Sequence, residues 1–451
     1  MSDNLPVKTC DCGSNCSLDL KTPRNVYLSA FYKRSFAFYT VKHRMPVILT
    51  NLIDNLVRHK SEIKEKYGNE AVDELKTIIG EISEFKYEVQ TNKPLKLLIG
   101  NAPDVNIYNE YIKKQSVAEG HTTHFHTIWL LTECYMYRRI KQIFETKPHL
   151  KEYDYFEQQK QDAYTGAIQL IENMSEHVLH VLNNKNPADQ NEFIHMLKLN
   201  LWGNKCDLSL SLGKASDMSS LFDTAALDPY ILCDHSKQIW EGISTDKSSD
   251  IIDIVFDNSG YEVFTDLCVA DYIITKGLAK SMRLYVKTIP WFISDVMEHD
   301  FYWTINQLKA SENHNLQVLG QRWSKYVEDG IWTIVASNFW TLPYDFTYMA
   351  DVDPQLYKKL GEAKAVFFKG DLNYRKLFGE KNWDPTTSVD TGLQSFHPSK
   401  LCIIRTIKAD IVVGIPNGIA EEIEAKDPKW MHNGEYGVIQ FSKNKVAIQS
   451  L

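Results

Sequence analysis

Apolar residues recur at helical spacing through the first part of the chain. After Pro46, whose ring suits a first helical turn, Ile48, Leu49, Leu52, Ile53 and Leu56 mark one helix face. Lys93-Pro94 closes that region. The spacing predicts further helices from Trp129 to about Phe144 and from Tyr155 to about Leu182. The Asn183 to Pro187 stretch breaks the pattern. Another helix, from about Gln190, leads into Trp202-Gly203-Asn204-Lys205-Cys206-Asp207. Then the period changes. Ile251 to Phe256 is a short β-branched run ending at Asp257-Asn258-Ser259-Gly260, and a helix-like stretch follows to about Lys276. Strands are predicted at Arg283 to Thr288, Ile331 to Val335, Ala365 to Phe368, Leu401 to Arg405 and Ile411 to Val413. Strands alternating with helices imply βαβ units and a mostly parallel sheet. The expected class is therefore α/β, with a tail at 1–25, a helix-rich region at 26–215 and an α/β domain at 216–451.

The composition adds exclusions. Of 451 residues, 43% are hydrophobic and 24% charged, as in ordinary globular proteins, which excludes wholesale disorder. No apolar run approaches the ~18 residues of a membrane span. Met1 to Cys16 is polar and lacks a signal core, so a cytoplasmic protein with no membrane partner is expected. Acidic residues outnumber basic ones, 58 to 50, for a net charge of −8. That balance argues against general nucleic-acid binding. It also requires that any phosphorylated substrate be met by a local cation or a metal. Five of the eight cysteines, Cys134, Cys206, Cys233, Cys268 and Cys402, stand singly in apolar or mixed segments and read as buried thiols. Cys10, Cys12 and Cys16 cluster without a fourth ligand nearby, so they read as a thiol-bearing tail, with metal binding or lipidation the alternatives. His121, His124 and His126 do not share a helix face and read as a solvated loop. The run Lys60 to Lys66 reads as a solvated helix face.

Candidate chemistry gathers at the carboxyl ends of the predicted strands, where open parallel sheets bind ligands. The first strand delivers Asp257 and Asn258, and the segment after the second delivers Ser294 and Asp295. Asp371, Asn373 and Arg375 follow the strand at Phe368, while Arg405 and Lys408 follow Ile404. Asp257, Asn258 and Asp295 are hard oxygen donors suited to Mg²⁺, Mn²⁺ or a similar ion. Arg375, Arg405 and Lys408 are cations of the kind that hold phosphate. Together they read as phosphoryl chemistry; each alone is also ordinary turn chemistry. Ser259 and Glu262 have capping-box spacing, which accounts for Glu262 without any catalytic role. Asn204 and Asp207 read equally as a helix cap or as groups reaching into the site. No glycine-rich loop follows any strand, which counts against a methyltransferase of the common nucleotide-sheet kind and against a dehydrogenase. Asp257 lacks a second Asp two residues on, so an aspartyl-phosphate intermediate is not expected. Metal-bound water attacking phosphorus is the simpler mechanism.

Several of these segments together resemble the damage-control phosphatases. They are Trp202-Gly203-Asn204-Lys205-Cys206-Asp207-Leu208-Ser209, Phe256-Asp257-Asn258-Ser259-Gly260, Lys287-Thr288-Ile289-Pro290-Trp291-Phe292 with Asp295, and Gly370-Asp371-Leu372-Asn373-Tyr374-Arg375-Lys376. Arg405-Thr406-Ile407-Lys408 matches the Arg-Thr-x-Lys signature of the third subfamily, the sugar-phosphate phosphatases also known as acidic-residue methyltransferases. Tyr135-Met136-Tyr137-Arg138-Arg139 is similar to the same branch. The resemblance runs from about Lys33 onward; the cysteine-bearing tail and the histidine-rich loop depart from it. It implies a helical N-terminal region packed on a Rossmann-like α/β domain. It implies metal ligation by Asp257, Asn258 and Asp295, with Asp257 and Asp295 catalytic. It implies substrate binding by Asp257, Asn258, Asp371, Leu372, Asn373, Tyr374, Arg375 and Lys408. Cofactors would be manganese, nickel, cobalt or magnesium, and substrates small sugar phosphates such as fructose 1-phosphate and fructose 6-phosphate. In the family's alternative account, S-adenosylmethionine-dependent methylation of protein glutamates, Glu262 and Asp295 would contact the cofactor.

Overall fold

The computed structural model describes residues 17–119, 122–211 and 224–443, without the side chains of 116–119, 204–211, 224 and 225. Cys10, Cys12, Cys16 and His121, and the side chains of Asn204, Cys206 and Asp207, lie outside the described residues. The fold is mixed α/β, and its contacts divide into two compact units, one reaching Tyr153 and the other starting at Asp154. No helix among the described residues is long and apolar enough to cross a membrane.

The first unit is helical. Met45–Arg58, with Pro46 in its first turn, buries Leu49, Leu52 and Leu56, and Asn69–Gln90 buries Leu75, Ile78, Ile82 and Phe85. Both stripes follow the three-to-four spacing read from the sequence. Trp129–Glu145 is buried nearly all round, and its Arg138 is held by Asp104 and Glu145. In the segment expected as a tail, the Leu18 N–H donates to the Phe31 carbonyl at 2.7 Å and Asp19 pairs with Arg34. The histidine loop corrects an expectation. His124 is 1% exposed, neither ring nitrogen is hydrogen-bonded, and burial pushes its pKa down to about 3.

The second unit is built on a seven-stranded sheet ordered β1-β7-β6-β5-β2-β3-β4. The strands are β1 (Ile231–Asp234), β2 (Ile251–Val255), β3 (Ser281–Val286), β4 (Trp332–Ala336), β5 (Ala365–Lys369), β6 (Lys400–Thr406) and β7 (Gly437–Ser442). β2 to β6 run parallel. β7 runs antiparallel to β6, and β1 follows β7. The period of two assigns the faces. Ile252, Ile254, Leu284, Val286, Phe367, Cys402 and Ile404 enter one core with Leu170, Ile171, Phe193, Leu197, Phe264 and Leu267 from the covering helices. Each such side chain contributes ~2 kcal/mol by leaving water. On the opposite face Tyr285, Phe368, Phe346, Phe396 and Trp340 form an aromatic layer. Asp253, also on that face, is clamped by Arg283 at 2.7 and 2.9 Å.

Several predicted elements differ in detail. The helix expected over 155–182 is two, Glu157–Gly166 and Ile168–Asn183, separated at Ala167. The helix from Gln190 continues to Ser211, so Asn204 and Asp207 lie within it and do not follow its end. Ile411 to Val413 is not a strand. Arg405 donates to the Ile411 carbonyl, and the Val413 N–H and carbonyl are bonded by Tyr374 and Gln440 side chains, leaving no ladder to make. Ser259 does not cap the helix Tyr261–Thr275. Gly260, at φ 75°, is its N-cap without a side-chain bond.

Candidate functional site

Asp257 lies just beyond the end of β2, after Phe256, and is 5% exposed. Its carboxylate sits at the centre of the sheet's carboxyl edge because β5 leaves room for it. Gly370 at the end of β5 has φ +82°, and a Cβ there would lie 1.8 Å from Asp257 Oδ2. Glycine is required on both counts: the left-handed backbone and the close approach. Asn258 then bridges two acids, its Nδ2 donating to Asp257 Oδ2 at 2.9 Å and to Glu262 Oε2 at 2.8 Å. Its Oδ1 accepts from Ser294 Oγ at 2.6 Å. This orientation, not a capping box, is what Glu262 does.

Asp295 approaches from the other side. The turn from Pro290 doubles back so that the Asp295 N–H donates to the Trp291 carbonyl at 3.1 Å. Phe292 and Ile293 both have left-handed φ, 44° and 73°. Such conformations cost ~1–3 kcal/mol each for residues with a Cβ and gather at sites that hold a fixed geometry. Asn258 and Asp295 pair as an isolated antiparallel bridge, and the Val296 N–H donates to the Asp257 carbonyl at 2.9 Å. Lys287, the first residue of the Lys287 to Phe292 segment, is buried just past β3. Its Nζ lies 3.2 Å from Asp295 Oδ2 and donates to the Phe256 carbonyl at 2.9 Å.

The electrostatics follow from burial. Three carboxylates, Asp257, Asp295 and Glu262, share a nearly dry edge with Lys287 as the adjacent cation. Burial, then the charges of Asp295 and Glu262, push Asp257 well above the ordinary carboxylate range. Burial likewise lifts Asp295 to about 6, against the pull of Lys287. A hard-oxygen set with excess negative charge fits a divalent cation, which would bring both carboxylates back to the ionised form.

The segment after β5 divides by role. Asp371 accepts from Arg405 Nε at 2.8 Å and from the Lys408 N–H at 3.3 Å. Leu372 is buried. Asn373 Nδ2 donates to the carbonyls of Lys369 and Phe256 at 2.8 and 3.2 Å, tying the end of β5 to the end of β2. The Tyr374 ring lies 4.1 Å from the Arg405 guanidinium, and burial pushes its phenol up to about 12. Arg375 pairs with buried Glu380 through Nε and covers the Phe292 ring at 6.0 Å. Arg405 also donates to the carbonyls of Ile411 and Ala409, so it shapes the loop that bears Lys408. Behind β5, Lys369 contacts Asn200 Oδ1 at 2.5 Å and Asp266 at 3.3 Å.

Among the described residues, one trio of potential ligands has all its atoms within 4.8 Å: Asp154, His299 and Asp300, a spacing compatible with a divalent ion. It was not read from sequence, because 145 positions separate Asp154 from His299. Lys160 stands inside it, 2.7 Å from Asp154 Oδ2 and 2.5 Å from Asp300 Oδ2. Asp257, Asp295 and Glu262 do not meet that mutual spacing.

Residues 40–423 match the family described as the damage-control phosphatase ARMT1-like domain. A mouse protein named damage-control phosphatase ARMT1 is 39% identical over 429 residues, 92% of this chain and 98% of its own. The human protein of the same name is 40% identical over 423 residues, 90% and 96% of the two chains. A solved DUF89 family protein from Pyrococcus horikoshii aligns over 77% of this chain and 92% of its own, at 14% identity and a TM-score of 0.39.

Proposed function

We propose that this chain, which belongs to the ARMT1-like damage-control phosphatase family, is a divalent-metal-dependent hydrolase of small sugar phosphates such as fructose 1-phosphate and fructose 6-phosphate. The observation that carries the reading is the convergence of two buried carboxylates, Asp257 and Asp295, on Asn258 at the carboxyl edge of the sheet, with Lys287 as the adjacent cation. Asp257, Asn258 and Asp295 would hold manganese, nickel, cobalt or magnesium. When bound, such an ion supplies Lewis acidity and a water of lowered pKa.

The chain's own residues do the rest. Lys287 keeps Asp295 aimed at the centre. Asn258 fixes Asp257 and Glu262 against each other. Asp257 or Asp295 accepts the proton of the attacking water. Lys408 meets the phosphoryl oxygens, and Asp371 orients it by holding its N–H. Arg375, already paired with Glu380, lends its charge more weakly. Asn373 and Tyr374 keep the edge in register from inside the fold.

The alternative, S-adenosylmethionine-dependent methylation of protein glutamates, lacks support in the site. The turn after β2 reads Asp257-Asn258-Ser259-Gly260, not a glycine-rich loop. Glu262, its implied cofactor contact, is turned toward Asn258. The deciding experiment is phosphate release from a panel of sugar phosphates by chelator-stripped protein, with each metal re-added singly and S-adenosylmethionine absent. Methyl transfer to protein carboxylates without metal-dependent phosphate release would overturn the reading.

A further inference from the structure

Asp154, His299 and Asp300 have the make-up of a cation site, and the cation among them is already part of the chain. Lys160, on the helix Glu157–Gly166, is 3% exposed. Its ammonium donates to both Asp154 Oδ2 and Asp300 Oδ2. His299 Nε2 adds contacts of 2.9 Å to Asp154 Oδ2 and 3.3 Å to Asp300 Oδ1. A divalent ion bound by both carboxylates would have to stand where the ammonium stands. Although burial opposes it, His299 and Lys160 bring Asp154 down to about 2, so the acid stays ionised and the lysine stays held.

The cluster leads to the candidate metal centre by direct bonds. Asp300 Oδ2 also accepts from the Met297 N–H at 2.8 Å, closing the first turn of the helix Glu298–Ala310. Met297 bridges Lys287, and the intervening Val296 bonds to both Lys287 and the Asp257 carbonyl. Asp295 is the next residue back. The Lys160 helix also touches the other arm: a Cβ on Gly260 would meet Ala163 Cβ at 3.4 Å and Tyr164 N at 3.5 Å. One helix therefore backs both the Asp257 and the Asp295 segments.

We propose that Lys160 is a built-in cation that fills the Asp154–His299–Asp300 site and, through Asp300 and the Met297 turn, positions Asp295 for metal binding. Lys160 is thus a positioning residue. The inference rests on Asp257, Asn258 and Asp295 being the metal centre.

Calorimetric titration of the stripped full-length protein with Mn²⁺ alone tests it. Wild type should take up one equivalent, and so should His299→Ala, whose side chain is 44% exposed. Lys160→Met should bind at the main centre about tenfold or more weakly, the scale at which supporting residues tune metal affinity. It should also gain a second equivalent, lost again in Lys160→Met/His299→Ala. Lys160→Arg should restore a single equivalent, and the Lys160→Met defect should fall on kcat with substrate KM unchanged. Two equivalents in wild type, one removed by His299→Ala, would overturn the proposal, and that arm stands even if Lys160→Met does not fold. Wild-type stoichiometry and affinity in Lys160→Met would overturn it too. A wild type that binds no ion, or binds one that Asp257→Asn retains, sinks the metal-centre reading instead. The ion gained by Lys160→Met would then still mark a filled site.

Discussion

A carboxylate buried at the end of a central strand is destabilising until something neutralises it. The Asp257 pKa is raised in the folded chain, so its proton stabilises the fold at low pH and that contribution is lost as pH rises through the folded value. In metal-free buffer Asp257→Asn should therefore melt higher than wild type at pH 8, with the gap closing toward pH 4. Saturating Mn²⁺ should invert the order, since a ligand at a hundred times its Kd adds ~2.7 kcal/mol to wild type. Phosphate release by the variant should fall by roughly a hundredfold or more, as when a transition-state stabiliser is removed. Thermal melts over pH, with and without Mn²⁺, check the first two outcomes. Lys408→Met separates substrate binding from charge balance. If Lys408 meets phosphate, Mn²⁺ affinity should persist while kcat/KM drops about tenfold or more, since a charge-assisted contact is worth ~1.5–3 kcal/mol. A change within about twofold, ~0.4 kcal/mol, would remove the lysine from the site. Asp257, Asn258, Asp295 and Lys408 could be picked out by eye because strand tips expose polar residues in order along the chain. The roles of Lys287 and Lys160 could not. The first continues an alternating strand pattern, the second sits among Gln158, Gln161 and Asp162, and only long-range folding shows that both ammonium groups turn inward.

Among the elements, the turn that follows β5 is the most constrained. Gly370→Ala meets both a left-handed backbone, ~1–2 kcal/mol, and a clash with the Asp257 carboxylate, typically ~1–3 kcal/mol. A stability loss of about 2–5 kcal/mol with activity abolished is expected from denaturant unfolding and phosphate assays. A fully active, wild-type-stable Gly370→Ala would show that the two strand ends do not meet as described. The Lys-Gly-Asp sequence after an apolar run was a legible hint of that turn. β1 and β7 were not legible. Ile231–Asp234 is four residues long, and Gly437–Ser442 alternates too briefly to stand out. The opposite error came at Ile411 to Val413, where β-branched residues mimic a strand although side chains of Arg405, Tyr374 and Gln440 hold the backbone. Local pattern registers which residues are apolar, not which partner takes their N–H and carbonyl groups.

For the whole molecule, protection should follow depth in the sheet. β5 and β2 are interior and wholly or almost wholly buried, while β4 is an edge strand with Thr333 and Ala336 exposed. Amide exchange followed by mass spectrometry should be slowest in peptides covering 252–255 and 365–368 and at least about tenfold faster over 332–336, because edge amides open at lower free energy. Equal rates would contradict the strand order. The overall class was readable because alternating periods of two and three-to-four survive averaging over many residues. The reversal of β7 was not, since no local signal distinguishes a strand that runs back.

That reversal has a bearing on how the molecule can vary. β6 leaves the sheet at Thr406 and β7 re-enters beside it at Gly437. Both ends of the intervening excursion therefore lie on the same rim as Asp257, and the excursion carries Lys408, the Asp410–His432 pair and the helix Ile419–Lys426. A crossover between parallel strands must return to the far rim, so its length is tied to the length of the strands. This excursion has no such tie. Insertions or deletions within it can reshape the surface around the proposed phosphate-binding lysine, Lys408, while the strands beneath keep their register. Divergence in substrate preference between relatives should accordingly be concentrated there, and exchanging that excursion between two relatives should transfer preference while leaving metal binding in place.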